Sequence, residues 1–116
     1  MNTYPSERIE LRAGDSLPGF AAVLEDQLGN PVDLTDAVCY LQVVDRIANV
    51  LHENECTIAN PATGTVVYDW TGVETRAWGV GVHEIRVRVL WDNGDALIAP
   101  ASVGVELIIR PEIAAL

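Results

Sequence analysis

Val82-His83-Glu84-Ile85-Arg86-Val87-Arg88-Val89-Leu90-Trp91 is the stretch on which the fold turns. Ile85, Val87, Val89 and Trp91 share one phase of a period of two, and Glu84, Arg86 and Arg88 share the other. Strict alternation marks a half-buried β-strand, apolar toward a core and charged toward water. The next residues, Asp92-Asn93-Gly94-Asp95, form a strong hairpin signal, because Asn and Gly tolerate positive φ. The turn predicts a short partner strand over Ala96–Ala99.

Outward from this hairpin the same rhythm repeats. Residues 103–110 alternate again, with Val103, Val105, Leu107 and Ile109 facing one way and Glu106 and Arg110 the other. Residues 65–70 place Val66, Tyr68 and Trp70 on one face. Ala37–Val44 carries Cys39, Leu41 and Val43 on one face and Val38, Tyr40 and Val44 on the other, where only Gln42 is polar. Such a strand is central and covered, or its outer face meets another subunit. Residues 8–13 and 19–24, with a looser strand over 49–58, complete the set. Turn clusters separate these runs at 13–15, 26–31, 60–64 and 99–101.

Only one segment reads as helix. Thr71-Gly72-Val73-Glu74 has capping-box spacing, and Gly79 stops the turn that follows. It predicts one helical turn near residues 72–78, forming a corner between two sheets. The fold class is therefore all-β, an immunoglobulin-like antiparallel sandwich of about seven to eight strands. The 116 residues suit one domain with one core, with arms at 1–6 and 111–116.

Charge narrows the partners. Seventeen acidic residues against seven basic ones, all of them Arg, give a formal charge of −10. Phosphates and anionic membrane surfaces would be repelled, so neither nucleic acid nor membrane is expected. No apolar run approaches the roughly 18 residues of a spanning helix. Residues 1–7 carry neither a basic nor an apolar leader pattern, so synthesis in a cytoplasm is expected. Cys39 and Cys56 do not make a disulfide framework; Cys39 reads as a small buried hydrophobe, and a bridge between the two is the lesser reading.

The residues of catalysis are sparse. The histidines are His52 and His83, and Ser6, Ser16 and Ser102 lie in no nucleophile context. A Cys56–His52 pair would need helical spacing in a segment that reads as strand. Two Cys and two His scattered over three segments do not suggest zinc. Asp92, Asn93 and Asp95, and Asp33 with Asp36, read as turn chemistry ahead of calcium ligands. Gly79-Val80-Gly81 opens no helix and so fails the dinucleotide pattern. No enzyme activity, metal or cofactor is expected. Trp70 and Trp91 fall on inward phases; Trp78 divides between a packed corner and a partner contact.

The order of motifs carries a resemblance. Ile9-Glu10-Leu11-Arg12-Ala13-Gly14-Asp15-Ser16 precedes Asp26-Gln27-Leu28-Gly29-Asn30-Pro31-Val32-Asp33-Leu34-Thr35-Asp36-Ala37 and an alternating strand ending at Asp45. Then follow Gly64-Thr65-Val66-Val67-Tyr68-Asp69-Trp70, the Glu74-Thr75 to Gly79 segment, the strand of Glu84, and Pro100 before the final strand. From about Ile9 to Ile109, this order resembles the immunoglobulin-like domain of bacteriophage tail and baseplate proteins, typified by the N-terminal domain of upper-baseplate proteins. The resemblance implies a virion structural role and no catalytic residues. Baseplate members carry long C-terminal extensions; this sequence stops at Leu116, which implies a small accessory or adaptor subunit.

The expectation is thus a bacteriophage virion structural protein, a tail or baseplate assembly module made in the host bacterial cytoplasm. Its partners would be other phage structural proteins, met as a homo-oligomer or in many copies, through surface contact and strand addition. The alternatives are a capsid decoration protein of the same fold and a carbohydrate-binding or adhesive module, which would need Trp78 or Tyr4 exposed. The candidate interface comprises Val38, Tyr40 and Val44 on the outer face, Trp78 at the corner, and Ile113 and Leu116 in the apolar tail.

Overall fold

The structure, a computed structural model, describes residues 8–16, 19–26, 28–45, 47, 49–99 and 105–111. Among them run nine strands and one helix: β1 (Arg8–Arg12), β2 (Phe20–Val23), β3 (Ala37–Val44), β4 (Val50–Glu55), β5 (Thr57–Asn60), β6 (Thr65–Tyr68), α1 (Gly72–Trp78), β7 (Gly81–Trp91), β8 (Ala96–Ala99) and β9 (Val105–Arg110).

The long alternating strand, β7, is the spine. Its residues 84–91 pair antiparallel with all of β3, from Val44↔Glu84 to Ala37↔Trp91. Its other edge is shared by two strands in succession. β9 pairs with residues 81–85 and β8 with residues 87–90, both antiparallel. β8 and β9 therefore run in the same direction along that edge. β4 flanks β3, and β1 flanks β9 in parallel, giving a six-stranded sheet. The second sheet has three strands in the order β2-β6-β5. This is the immunoglobulin pattern: β2, β6 and β5 take the B, E and D places, and β9, β7, β3 and β4 take G, F, C and C′. The first strand lies beside β9 rather than beside β2.

Apolar phases of both sheets meet in one core. Cys39, Leu41, Val43, Ile85, Val87, Val89, Leu107 and Ile109 face Phe20, Val66, Tyr68 and Trp70. Burial of such a cluster, at about 25 cal/mol per Å² of apolar surface, is the main drive for the fold. The two cysteines are buried and unbridged.

The loose strand over 49–58 resolves into two. Cys56 donates its backbone N–H to Cys39 O at 2.8 Å, the last bond to β3, and the chain then crosses to the small sheet as β5. The expected helical turn is a seven-residue helix, and it joins the two sheets as a corner. Its capping box is formed: Glu74 N–H donates to Thr71 Oγ1 at 3.1 Å, and Thr71 N–H to Glu74 Oε1 at 2.8 Å. Thr75, fully buried, accepts from Gly14 N–H at 3.0 Å and donates to Asp15 O at 2.9 Å. Those bonds fasten the corner to the connection between β1 and β2.

Candidate interface and a half-buried polar cluster

The outer face of the large sheet is built from the even-numbered residues of β3 and β7. Its middle is laced rather than apolar. Glu53 on β4 accepts two bonds from Arg88 on β7, Nε to Oε2 at 3.0 Å and Nη2 to Oε1 at 2.9 Å. Gln42 Nε2 donates to the same Oε2 at 2.6 Å. The Arg88 bonds, then that of Gln42, hold the Glu53 carboxyl below its ordinary range. The Arg88 guanidinium also lies over the Tyr40 ring, 5.0 Å from its centroid. Arg86 pairs with Glu84 at 3.1 Å.

Of the expected interface residues, Val38 is on the surface, 39 % exposed, and Tyr40 is half-buried under Arg88. Val44 offers no surface. It lies where the β3–β4 register shifts and is fully buried, contrary to an exposed place on the outer face. Trp78 takes the packed alternative: it is 6 % exposed, edge-on to Trp70 at 5.9 Å. Ile113, Leu116 and Tyr4 lie outside the described residues. Apolar residues on this face include a short row across three strands, besides Val50 opposite Val44 and the Val82–Ile108 pair. Val38 is opposite Leu90, Leu90 opposite Ala96, and Ile98 opposite Arg88. Ile98 is exposed and Leu90 half-buried.

A polar cluster that the sequence reading passed over sits between the sheets, against α1. Tyr68 Oη on β6 donates to Glu74 Oε2 on α1 at 2.5 Å. His52 Nε2 on β4 stands 2.9 Å from that oxygen and 3.2 Å from Tyr68 Oη. Asn54 Nδ2 donates to Tyr68 Oη at 3.2 Å. With the phenolic hydrogen committed to Glu74, His52 Nε2 must carry its own. Burial pushes the Glu74 carboxyl up, but the bonds from Tyr68 and Thr71 and the nearby His52 together outweigh it and leave it below the ordinary value. Burial, then the bond to Glu74, pushes the Tyr68 hydroxyl up to about 12. Every oxygen of Glu74 is engaged, so the arrangement ties helix to sheets. The sequence pattern marks Glu74 only as a cap. A carboxylate has two oxygens and the capping box uses one, but no spacing marks Tyr68 as the partner of the other.

The remaining candidates are structural in their surroundings. His83 donates from Nε2 to Gly79 O at 2.8 Å, and its Nδ1 is buried without a partner among the described residues. Burial pushes Cys39 up to about 11 and Cys56 to about 12, away from the thiolate form that reacts. The carboxylates of Asp26, Asp33 and Asp45 accept from backbone N–H groups two residues on.

No family model matches the chain, and no curated protein matches its sequence. Solved structures do. The N-terminal domain of phage TP901-1 ORF48 superposes with a TM-score of 0.60 at 16 % identity, covering 93 % of this chain and 91 % of that one. CopC from Methylosinus trichosporium OB3b superposes with a TM-score of 0.52 at 14 % identity, covering 97 % and 92 %. At these identities the likeness is one of fold.

Proposed function

We propose that this chain is a bacteriophage virion structural module that acts by protein–protein contact. The observation that carries the reading is its likeness to a phage domain, the N-terminal domain of TP901-1 ORF48, over nearly the full length of both chains. The ordered motifs between Ile9 and Ile109 point the same way. A tail or baseplate position, a multi-copy state and assembly in the host cytoplasm belong to this proposal.

The surface we assign to contact is the row of Val38, Leu90 and Ile98 together with the open strand edges. Contact through an apolar row rimmed by charge suits a specific interface, which needs an apolar centre and a polar border. The glycan-binding alternative loses its described aromatic, since Trp78 is inside. The test is to purify the phage particles that carry this gene and measure by mass spectrometry whether the chain is a stoichiometric component. Its absence from particles, with the protein present in the lysate, would refute the reading.

A further inference from the structure

We infer that β2 is an acceptor edge for an extended, basic-flanked segment of another polypeptide, which adds to the small sheet as a fourth strand. The inference deepens the assembly reading above and rests on it. β2 ends its sheet, with β6 on one side and no strand among the described residues on the other. Immunoglobulin sheets of this kind hold four strands, the fourth beside B. Here the strand that would fill that place, β1, pairs with β9 in the opposite sheet.

The register says which groups are open. Leu24 N–H donates to Gly64 O at 2.8 Å, and Phe20↔Tyr68 through Val23↔Thr65 continue that register. Bonded and non-bonded pairs alternate along an antiparallel ladder, so Phe20 and Ala22 bond toward β6. The N–H and C=O groups of Ala21 and Val23 then point outward from the edge. Both side chains are exposed, Val23 by 53 %. Proteins blunt free edges with charge. In the large sheet β4 carries Glu53 and Glu55, and β1 carries Glu10 and Arg12; β5 and β8 are uncharged, and what sets β2 apart from them is that its usual neighbour, β1, pairs in the opposite sheet. Phe20-Ala21-Ala22-Val23 carries no charge at all.

Charge selects the occupant. Glu25 and Asp26 follow the strand, and Asp69 stands beside Gly19 at its start; all three are exposed. A second copy paired symmetrically about Ala22 would set each Glu25 opposite Gly19, next to Asp69, so like charges would meet at both ends. A segment with small or β-branched residues in its middle and Lys or Arg beyond its ends meets the opposite sign instead.

The test is amide exchange of the full chain by NMR, with a synthetic Lys-Lys-Thr-Val-Thr-Val-Thr-Lys-Lys peptide and its Glu-flanked counterpart as probes. Ala21 and Val23 should exchange freely in the peptide-free protein and slow by about tenfold or more with the Lys-flanked peptide. The Glu-flanked peptide should have no such effect. Ala21→Pro removes an outward donor while sparing the bonds to β6, and should abolish the protection. Val23→Lys, a milder change, should weaken it. Protection already present without peptide, protection by both peptides alike, protection at β4, β5 or β8 instead, or none would overturn the inference. Because no particle is involved, this result is independent of whether the chain is found in virions.

Discussion

Tyr68 and Glu74 are joined by a 2.5 Å hydrogen bond that ties the last residue of β6 to the first turn of α1. The same Glu74 oxygen receives His52 from β4, so one carboxylate links both sheets and the corner between them. Tyr68→Phe leaves that partly buried oxygen with one partner fewer. It should cost about 1–3 kcal/mol, read as a lowered midpoint in denaturant unfolding with an unchanged slope.

Glu74 also sets a pH dependence. Its carboxyl is held below the ordinary value of 4.5 in the folded state. A depressed pKa contributes stability that is present above the unfolded value and lost as pH falls through the folded one. The stability difference between the natural chain and Glu74→Gln should therefore be constant at neutral pH and shrink on acidification below the ordinary value. Unfolding midpoints measured across that range check the sign.

Gly64 shows where three backbone segments crowd together. Its φ is +68°, and a Cβ there would stand 2.7 Å from Leu24 O and 2.8 Å from Val32 O. Gly64→Ala combines an unfavourable backbone region with a clash against carbonyls that cannot swing away. A loss of about 1–3 kcal/mol or more is expected by thermal or chemical unfolding.

The thiols give a probe of the core. Cys39 and Cys56 are buried, free and pushed up to about 11 and about 12. Near neutral pH an aromatic disulfide reagent should titrate neither in the native protein and both once denatured. Prompt modification of the native chain would contradict the burial described.

Much of the fold was legible because period-two patterns are local. β7 announces itself in ten residues, and β3 matches its expected bounds from Ala37 to Val44. The break at Cys56 was not legible, because a strand that changes sheets stays extended and needs neither Gly nor Pro. The cover over part of the outer face was not legible for a different reason. Phase places Tyr40 outside, but its cover comes from Arg88, far along the chain, and Val44 is buried although it shares that outward phase. The Glu74 cluster gathers residues from three elements, and spacing alone brings none of them together.

Among the surface residues, Val38 and Ile98 are the ones whose change should separate folding from assembly. Val38→Asp with Ile98→Asp should leave the unfolding midpoint nearly unchanged, within about 0.5 kcal/mol for each exposed site. Incorporation into particles should fall sharply. Normal incorporation of the folded double variant would place the contact elsewhere.

The most direct measurement of the central claim is the abundance of this chain in purified phage particles, by quantitative mass spectrometry against other structural proteins. The account predicts a fixed, integral ratio that survives gradient purification. A chain confined to the soluble lysate, with none in the particles, would contradict it.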